Sequence, residues 1–273
     1  MNETITEITP ATLTLLAAVA VVLFMLQELF PLRRRTNPFV HRLFVNAVLS
    51  GLALGTSALI VTPVAGGILS LVTKRQIGFL RLFDLPPVAE TFLAFLLMDA
   101  TFYWWHRVNH QIAFLWRFHN VHHIDPDLDV TTSFRFHAGE IALSAGFRAV
   151  QILLIGISSV NFVLYQLVFN VSTMFHHSNI RLPIGVERLL NLLVVTPRMH
   201  GIHHSNYREE TNSNYSVVFR WWDMLWRTLH LGVHQSAVEI GVPGYRDPTD
   251  NRLRHAVVMP FVDQRDYWRG REH

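Results

Sequence analysis

The chain alternates long apolar stretches with short polar segments. Residues 11–30, 43–72, 88–105 and 141–175 are almost continuously apolar. The hydrocarbon core of a bilayer, about 30 Å thick, needs about 20 apolar residues per helical crossing, so each stretch is long enough to span a membrane. The pattern predicts an all-α fold, an integral membrane helical bundle.

The flanks of the first stretch predict its orientation. Arg33, Arg34 and Arg35 follow it directly, and Pro31 stands where a signal peptide would carry small residues for cleavage. We therefore expect an uncleaved span. Because basic residues favour the cytoplasmic side of a span, its C-terminal end should face the cytoplasm.

The second and third stretches are less regular. The sequence "TPVAGG" interrupts residues 43–72 with a proline and two glycines. Such a break fits one full span followed by a shorter returning or interfacial piece, so the number of crossings stays open. Residues 88–105 predict one further span, and "TFYWW" at its end is typical of a membrane interface.

Composition agrees with a membrane protein and excludes several other classes. Hydrophobic residues make up 50% of the 273 residues and charged residues 16%, whereas soluble domains carry about 25% charged residues. Cysteine is absent, which excludes disulfides, iron–sulfur clusters and a thiol nucleophile. The net charge of +3 is small and the basic residues are scattered, so no nucleic-acid partner is expected.

Histidine is the unusual residue, with sixteen copies in recurring patterns. The segments "HRVNH", "LWRFHNVHH" and "MHGIHH" supply His106, His110, His119, His122, His123, His200, His203 and His204. Histidines three or four residues apart share one face of a helix, whereas adjacent histidines point about 100° apart. One member of each adjacent pair can therefore serve one metal and its neighbour a second. Chance would produce about 0.05 copies of H-x-x-H-H in such a chain, and it has two.

The ligand type narrows the choice of metal and of function. Imidazole suits zinc, copper, iron and nickel, but eight histidines exceed the four ligands of a structural zinc and the three of a catalytic one. A pair of six-coordinate ions with positions open for oxygen or water fits better. Two alternatives remain: a membrane zinc hydrolase, which needs an acid as in H-E-x-x-H, and a divalent-metal transporter, which needs ligands near the bilayer midplane.

At these residues the sequence resembles the fatty acid hydroxylase/sterol desaturase family of membrane di-iron oxygenases. The matching segments, within residues 92–227, are "DATFYWWHRVNH", "LWRFHNVHH", "TTSFRFHAGE", "FHHSNI", "TPRMHGIHH" and "NYSVVFRWWD". The resemblance implies two iron ions, with zinc as a substitute in recombinant material. It implies as ligands the eight histidines above together with His177 or its neighbour His176, and no further catalytic residue.

Four other residues match family positions without a settled role. His137 is either an extra ligand or a residue that hydrogen-bonds Glu140 and orients a ligand, and it could instead cap the following helix. Asn179 and Asp223 are candidate hydrogen-bond acceptors behind the ligands, although Asp223 could equally cap a helix or pair with an arginine. Five histidines stand outside the patterns and are expected to be solvated: His41, His230, His234, His255 and His273.

The last apolar stretch must turn back if the histidines on either side of it share metals. As one helix, residues 141–175 would be about 50 Å long and would separate the two sets. We expect a hairpin with its turn in "GISSVN", residues 156–161, and arms of 14–16 residues, about 21–24 Å each. The tip would stay inside the far leaflet, with Arg148 snorkelling towards the interface.

These inferences predict three regions and one activity. Residues 1–91 would form N-terminal transmembrane helices and a connector, 92–231 the catalytic region, and 232–273 a cytoplasmic tail. The resemblance implies an enzyme that uses O₂ and external electrons to hydroxylate or desaturate a fatty acyl, sterol or isoprenoid lipid from the bilayer, with a cytoplasmic histidine-rich cap. Since the chain lacks a redox module of its own, the electrons would come from a separate ferredoxin, rubredoxin or cytochrome.

Overall fold

The computed structural model describes residues 10–265, and the regular secondary structure in this part is entirely helical. The α-helices are α1 (Pro10–Leu29), α2 (Phe39–Thr56), α3 (Thr62–Arg75), α4 (Pro87–Gln111), α5 (Ala113–His123), α6 (Ala138–Ile155), α7 (Ser159–His177), α8 (Ile184–Leu190), α9 (Pro197–His203), α10 (Arg208–Thr211), α11 (Trp221–Leu225) and α12 (Leu253–Val258). The predicted fold class is confirmed.

Three helical segments of the described chain are long and apolar enough to cross a membrane: Pro10–Leu29, Phe39–Leu82 and Ala138–Ile155. Helix α4, which the sequence also predicts to be a span, carries Glu90 and Asp99 within its apolar stretch and is not among these three. It nevertheless packs against α6 and α7, and α1 packs against α7. The long helices therefore form one bundle.

The interrupted second stretch does not turn back. A π-helical segment, Ser57–Val61, joins α2 to α3, and Ser57 and Thr62 keep right-handed helical φ and ψ angles. Pro63 has no N–H to donate to the carbonyl four residues earlier, which lies inside this segment. The proline and glycines therefore change the helical hydrogen bonding without ending the helix, and of the alternatives that the sequence left open the returning piece does not occur.

Helices α6 and α7 form a hairpin with its turn at residues 156–158, inside the segment where the sequence predicts one. Gly156 ends α6 with φ 72°, and the hydroxyl of Ser158 accepts a hydrogen bond from the backbone N–H of Asn161 at 3.2 Å. The arms have 18 and 19 residues, about 27–29 Å each. They are longer than expected and match the thickness of a bilayer core.

The turn of this hairpin marks one end of the bundle, which we call the hairpin end. Gly78 lies so close to the turn that a Cβ on it would be 2.3 Å from the Cα of Gly156. Arg81 Nε donates to the carbonyl of Gly156 at 2.7 Å, and Thr91 donates to Asn161 at 3.0 Å. Above these contacts an apolar core, which includes Leu69, joins α3, α4, α6 and α7.

The opposite end, which we call the histidine end, is held by buried polar groups. Arg42, only 1% exposed, donates to Asp125 at 2.6 Å and to Asp129 at 2.5 Å. Arg135 donates to Asn46 at 2.6 Å. Burial alone would raise the pKa of Asp125, but Arg42 and Arg135 hold that pKa below its usual value. These contacts fix the start of α2 to the segment that follows α5.

Candidate metal centre

The histidines reach the centre from four helix ends. His106 and His110 lie on the last turns of α4, and the extended residue Ile112 separates α4 from α5. The second set lies on α5 and the third set on and directly after α9, which starts with a proline at its first position. His177 ends α7. The hairpin therefore returns the chain to the side on which α4 and α5 meet.

Nine histidines form two groups whose candidate ligand nitrogens lie within 4.8 Å of one another inside each group. The five-histidine group consists of His106, His110, His119, His123 and His203. The four-histidine group consists of His122, His177, His200 and His204. All eight patterned histidines are therefore brought together at the histidine end, in agreement with the geometry that their spacing predicts.

The adjacent pairs divide between the groups. His122 belongs to the four-histidine group and its neighbour His123 to the five-histidine group. In the second pair, His203 belongs to the five-histidine group and His204 to the four-histidine group. The rings of His123 and His204 still stack across the boundary, with centroids 4.3 Å apart. The two groups are thus neighbours in one centre, as expected if each pair serves two ions.

The nitrogen positions in the four-histidine group fit a single cation. The Nε2 atoms of His122 and His177 are 3.1 Å apart, those of His177 and His200 are 3.0 Å apart, and those of His200 and His204 are 3.1 Å apart. An ion that binds imidazole nitrogen at about 2.1 Å places two ligands at right angles about 3.0 Å apart. The spacing therefore matches neighbouring positions around one six-coordinate ion.

The five-histidine group contains buried nitrogens that need a partner. Nε2 of His119, His123 and His203 has no hydrogen-bond partner within the described part of the chain and is inaccessible to solvent. A buried polar atom left in this state costs about 1–3 kcal/mol. A metal ion bound among these atoms would give each of them a partner.

Most rings are oriented by a hydrogen bond on their other nitrogen. Nδ1 of His106, His177 and His203 bonds the backbone carbonyls of Tyr215, Thr173 and Ser213 at 2.8, 2.8 and 2.7 Å. Nδ1 of His122 is 3.3 Å from the carbonyl of Arg135. If Nδ1 carries the proton in these bonds, the lone pair on Nε2 is directed into the centre. This orientation is the one that metal-binding histidines usually adopt.

Burial favours the neutral form of five histidines in the two groups. Desolvation, followed by repulsion from neighbouring histidines, lowers the pKa of His122, His123 and His204 well below the usual value. The pKa values of His200 and His203 are lowered in the same way. A neutral imidazole is the form that binds a metal. The protein therefore holds these side chains ready as ligands at neutral pH.

Of the two candidates at the end of α7, the geometry brings His177 into the centre. His176 belongs to neither group, although its ring centroid is 4.1 Å from that of His200. His176 therefore lies directly behind the four-histidine group.

Glu140 and His137 do not pair with each other as the sequence suggested. Glu140 Oε1 is 2.8 Å from Nδ1 of His119, so Glu140 contacts a member of the five-histidine group. His137 accepts a hydrogen bond from the backbone N–H of Gly139 at 2.9 Å and lies 3.1 Å from the carbonyl of Val257. His137 thus caps α6, which is the alternative that the sequence left open.

Asn179 and Asp223 support loops beside the centre. The side chain of Asn179 bonds the backbone N–H and carbonyl of Arg33, at 2.9 and 2.8 Å, and fixes the segment that follows α1. Asp223 accepts from the backbone N–H groups of Tyr215 and Ser216 at 2.8 and 2.9 Å. It therefore holds the loop whose carbonyl orients His106. The alternative in which Asp223 pairs with an arginine does not occur among the described residues.

Sequence reasoning missed the supports that lie far from the histidines along the chain. Asp99 on α4 accepts from the backbone N–H of Phe219 at 2.9 Å and from Nε1 of Trp222 at 2.8 Å. The network around Arg42 was missed as well. The signal for these supports in the sequence was a charged or amide residue within a stretch otherwise predicted to be an apolar helix.

The histidines outside the sequence patterns do not join the centre. His41, His230, His234 and His255 lie outside both groups, and His273 lies outside the described residues.

A cavity of about 250 Å³ leads from the centre into the membrane bundle. Its walls include His119, His122 and His177 at one end and Phe102 and Phe169 farther along. The π-helical segment and the end of α2, where Leu54 is 57% exposed, form another part of the wall. Both histidine groups and the partly exposed end of α2 therefore contribute to the walls of one cavity.

The sequence around the two histidine groups matches a known family of proteins. The family model "Fatty acid hydroxylase" matches residues 91–228, about half of the chain and all nine grouped histidines. The chain belongs to the fatty acid hydroxylase family. This assignment confirms the resemblance inferred from the histidine motifs.

Curated relatives give more particular similarities. The chain is 30% identical to ornithine lipid hydroxylase OlsE of Rhizobium tropici over 159 residues, covering 58% of this chain and 47% of that protein. It is 32% identical to human alkylglycerol monooxygenase over 151 residues, covering 54% and 33%. It is 30% identical to a cholesterol 25-hydroxylase-like protein of Danio rerio over 138 residues, covering 50% and 53%.

The matched regions cover between a third and about half of the length of these relatives. The similarity therefore extends over part of each relative and not over its whole length. No solved structure matches the chain significantly.

Proposed function

We propose that this chain is a membrane-bound di-iron oxygenase that uses O₂ and external electrons to oxidise a lipid. Because the relatives are named hydroxylases and a monooxygenase, we propose hydroxylation as the reaction and desaturation as its variant. In hydroxylation one oxygen atom enters a C–H bond of the lipid and the other leaves as water, with a pair of electrons and a pair of protons consumed. The catalytic region would be residues 92–231.

The observation that carries this proposal is the pair of adjacent histidine groups. Five and four imidazoles would hold two ions without a carboxylate in either group. Carboxylate-rich di-iron sites in soluble bundles offset the charge of the ions, and this centre would leave it uncompensated. Two irons bound here would supply the oxygen chemistry for an unactivated C–H bond.

The protein's own groups would orient the centre and exclude water from it. The Nδ1 contacts of His106, His119 and His203 fix three ligand rings. Glu140 would hold the Nδ1 proton of His119 and keep its Nε2 free for the metal. Since eight of the nine grouped histidines are buried, bulk water would have little access to the centre outside the cavity.

The cavity supplies the place for the lipid. Its aromatic and apolar walls suit an alkyl chain, and it runs between helices that face the bilayer. A lipid would enter beside α2 and place its reacting carbon against the histidine end. The reducing equivalents would come from a separate ferredoxin, rubredoxin or cytochrome, because the chain has no cysteine to hold an iron–sulfur cluster.

We further propose that the histidine end faces the cytoplasm. Arg33 Nη2 donates to the carbonyl of Pro197 at 3.0 Å, so the arginines after α1 lie beside α9. Basic residues at the end of a span favour the cytoplasmic side. The two alternative functions gain no support: the nine histidines lie together at one end of the bundle, and the acid beside them, Glu140, contacts a histidine instead of standing free.

Lipid profiling under ¹⁸O₂ tests the proposed function. Cells that express the chain should accumulate a lipid with one labelled oxygen atom, and cells that express the His122→Ala variant should not. New double bonds without label would indicate desaturation. Identical lipid profiles in the two cultures, at equal protein levels and with an electron donor present, would contradict the proposal.

A further inference from the structure

Arg148 is a buried cation in the middle of the hairpin. It lies on α6, is 7% exposed, and donates from Nη1 to Gln151 at 2.6 Å. Its guanidinium carbon is 5.4 Å from the ring centre of Phe102 and 5.8 Å from that of Phe162. Within residues 10–265 no carboxylate lies within 4.0 Å of it. The sequence predicted that Arg148 snorkels towards the interface. Instead, its side chain stays buried within the bundle.

Such a cation requires an explanation. A charged side chain within the membrane costs free energy unless an oxygen group or a counter-ion accepts its hydrogen bonds. Contacts with aromatic rings contribute only about 0.5–2 kcal/mol, and one amide oxygen accepts only one of the five N–H groups of a guanidinium. The packing of α6 would be satisfied by an apolar residue. Arg148 therefore has hydrogen-bond donors left over for a further polar group.

The place for this partner is the cavity that reaches the metal centre. Arg148 forms part of the wall of the same cavity as His119 and His177. Gln166, on the facing arm of the hairpin, also lines it, and its Oε1 is buried without a hydrogen-bond partner among the described residues. A plain hydrocarbon chain in the cavity would leave both side chains unsatisfied.

The separation along α6 defines what could fill the cavity. Arg148 follows Glu140, which contacts His119, by eight residues, or about 12 Å of helix. A lipid with an oxygen group at Arg148 would extend an alkyl segment of about this length towards the histidines. The distance between the bound oxygen and the metal centre would then determine which carbon is oxidised.

We infer that Arg148 binds an oxygen group of the lipid substrate and thereby selects the carbon that reacts. The inference rests on the proposed function and adds the substrate class. The substrate is a lipid with a hydrogen-bond-accepting oxygen, a carboxylate, ester or hydroxyl, in the part held within the membrane, and not a plain hydrocarbon. Arg148 donates the hydrogen bonds, and the side-chain amide of Gln166 contacts the same group, either by donating from Nε2 to a carboxylate or ester oxygen or by accepting at Oε1 from a hydroxyl.

Binding to the whole protein in nanodiscs tests this inference without turnover. The probes are radiolabelled hexadecanoic acid, methyl hexadecanoate, hexadecanol and hexadecane, each measured against nanodiscs without protein. The wild type should bind at least one oxygenated probe about 10- to 100-fold more tightly than hexadecane, the effect of hydrogen bonds to a charged group. The preferred probe then identifies the carboxylate, ester or hydroxyl.

Variants assign the preference to the guanidinium. Arg148→Met should remove the preference, Arg148→Lys should retain part of it, and Gln166→Leu should weaken it. Arg188→Met, at an exposed arginine on α8 outside the cavity, should bind all probes like the wild type. Equal binding of all four probes by the wild type, or a preference unchanged in Arg148→Met, would overturn the inference.

The metal content of each sample shows whether it is folded. If Arg148→Met fails to fold, Arg148→Lys and Gln166→Leu carry the test. Because binding is measured without oxygen chemistry, a lack of lipid oxidation under ¹⁸O₂ would contradict the proposed function and leave the binding preference as an independent result.

Discussion

The two ends of the bundle are built on opposite principles. At the hairpin end two glycine backbones meet, and the apolar core of α3, α4, α6 and α7 lies directly above them. At the histidine end the buried side chains are histidines and the ion pairs of Arg42 with Asp125 and Asp129. One end is stabilised by close apolar packing. The other consists of polar groups that are stable in a buried position only when each has a partner.

This difference separates stability from function within one structure. Apolar packing contributes free energy wherever surface is buried, so the hairpin end should determine how firmly the helices hold together. At the histidine end, the proposed cations would supply the partners that the buried nitrogens lack. We therefore expect substitutions at the hairpin end to change unfolding, and substitutions at the histidine end to change metal binding and activity first.

The largest effect is expected for a member of the four-histidine group. His122→Ala should reduce lipid oxidation by at least about 100-fold, because loss of a ligand exceeds the 10- to 100-fold effect of losing a group behind it. The helical content should not change, since the apolar core is distant. His41→Ala, an exposed histidine on α2, is the matched control and should behave like the wild type. If His122→Ala oxidised lipid at the wild-type rate, His122 would not be a metal ligand.

At the hairpin end, Gly78→Ala should lower the free energy of unfolding by about 1–3 kcal/mol, the range for strain and backbone overlap. Gly78 has φ 108° and its new Cβ would overlap Gly156. Gly66→Ala, inside α3 with open space around it, should be neutral or stabilising. Thermal unfolding in detergent measures both. A Gly78→Ala protein as stable as Gly66→Ala would refute the close contact.

Glu140→Gln refines the comparison between the two ends of the bundle. The substitution keeps the shape of the side chain at the histidine end and removes only its charge. Metal affinity should fall about 10-fold, the effect typical of a group that orients a ligand. Glu90→Gln, which affects the ion pair of Glu90 with Arg81 at the hairpin end, should leave metal affinity unchanged. Titration with a competing chelator measures the two variants. Equal affinities for both would mean that Glu140 does not act through His119.

The smallest effect is a dependence on pH. Because burial lowers the pKa of His122, His123 and His204, these residues are neutral in the folded protein, whereas their counterparts in the unfolded chain take up protons below about pH 6.5. Acid therefore favours the unfolded chain, and stability and metal retention should decline as the pH falls below that value. Metal content after equilibration at decreasing pH checks this, and loss on raising the pH would have the wrong sign.

Local patterns in the sequence predicted the grouping of the histidines and the turn of the hairpin. Spacings of three and four residues within one helix fix which side chains share a face, so the division of His122 from His123 follows from α5 alone. The turn could be located because a centre at one end of the bundle requires residues 141–175 to reverse, and Gly156 is suited to that reversal.

The features that were missed depend on packing between distant segments. The helix continues past Pro63 because α3 packs along α6, which outweighs the local preference for a break. Arg42 and Asp125 are 83 residues apart in sequence, and no local pattern predicts their contact. Arg148 is buried because three phenylalanines and a glutamine surround it. Tertiary contacts decided these positions.

The metal content of freshly extracted protein tests the central claim most directly. Elemental analysis of the wild-type chain, purified from iron-replete cells, should give close to two ions per chain, as iron or as zinc that has replaced it. Loss of His177, through His177→Ala, should reduce this value, because His177 Nε2 contacts both His122 and His200. A wild-type content of one ion or none would contradict a two-metal centre.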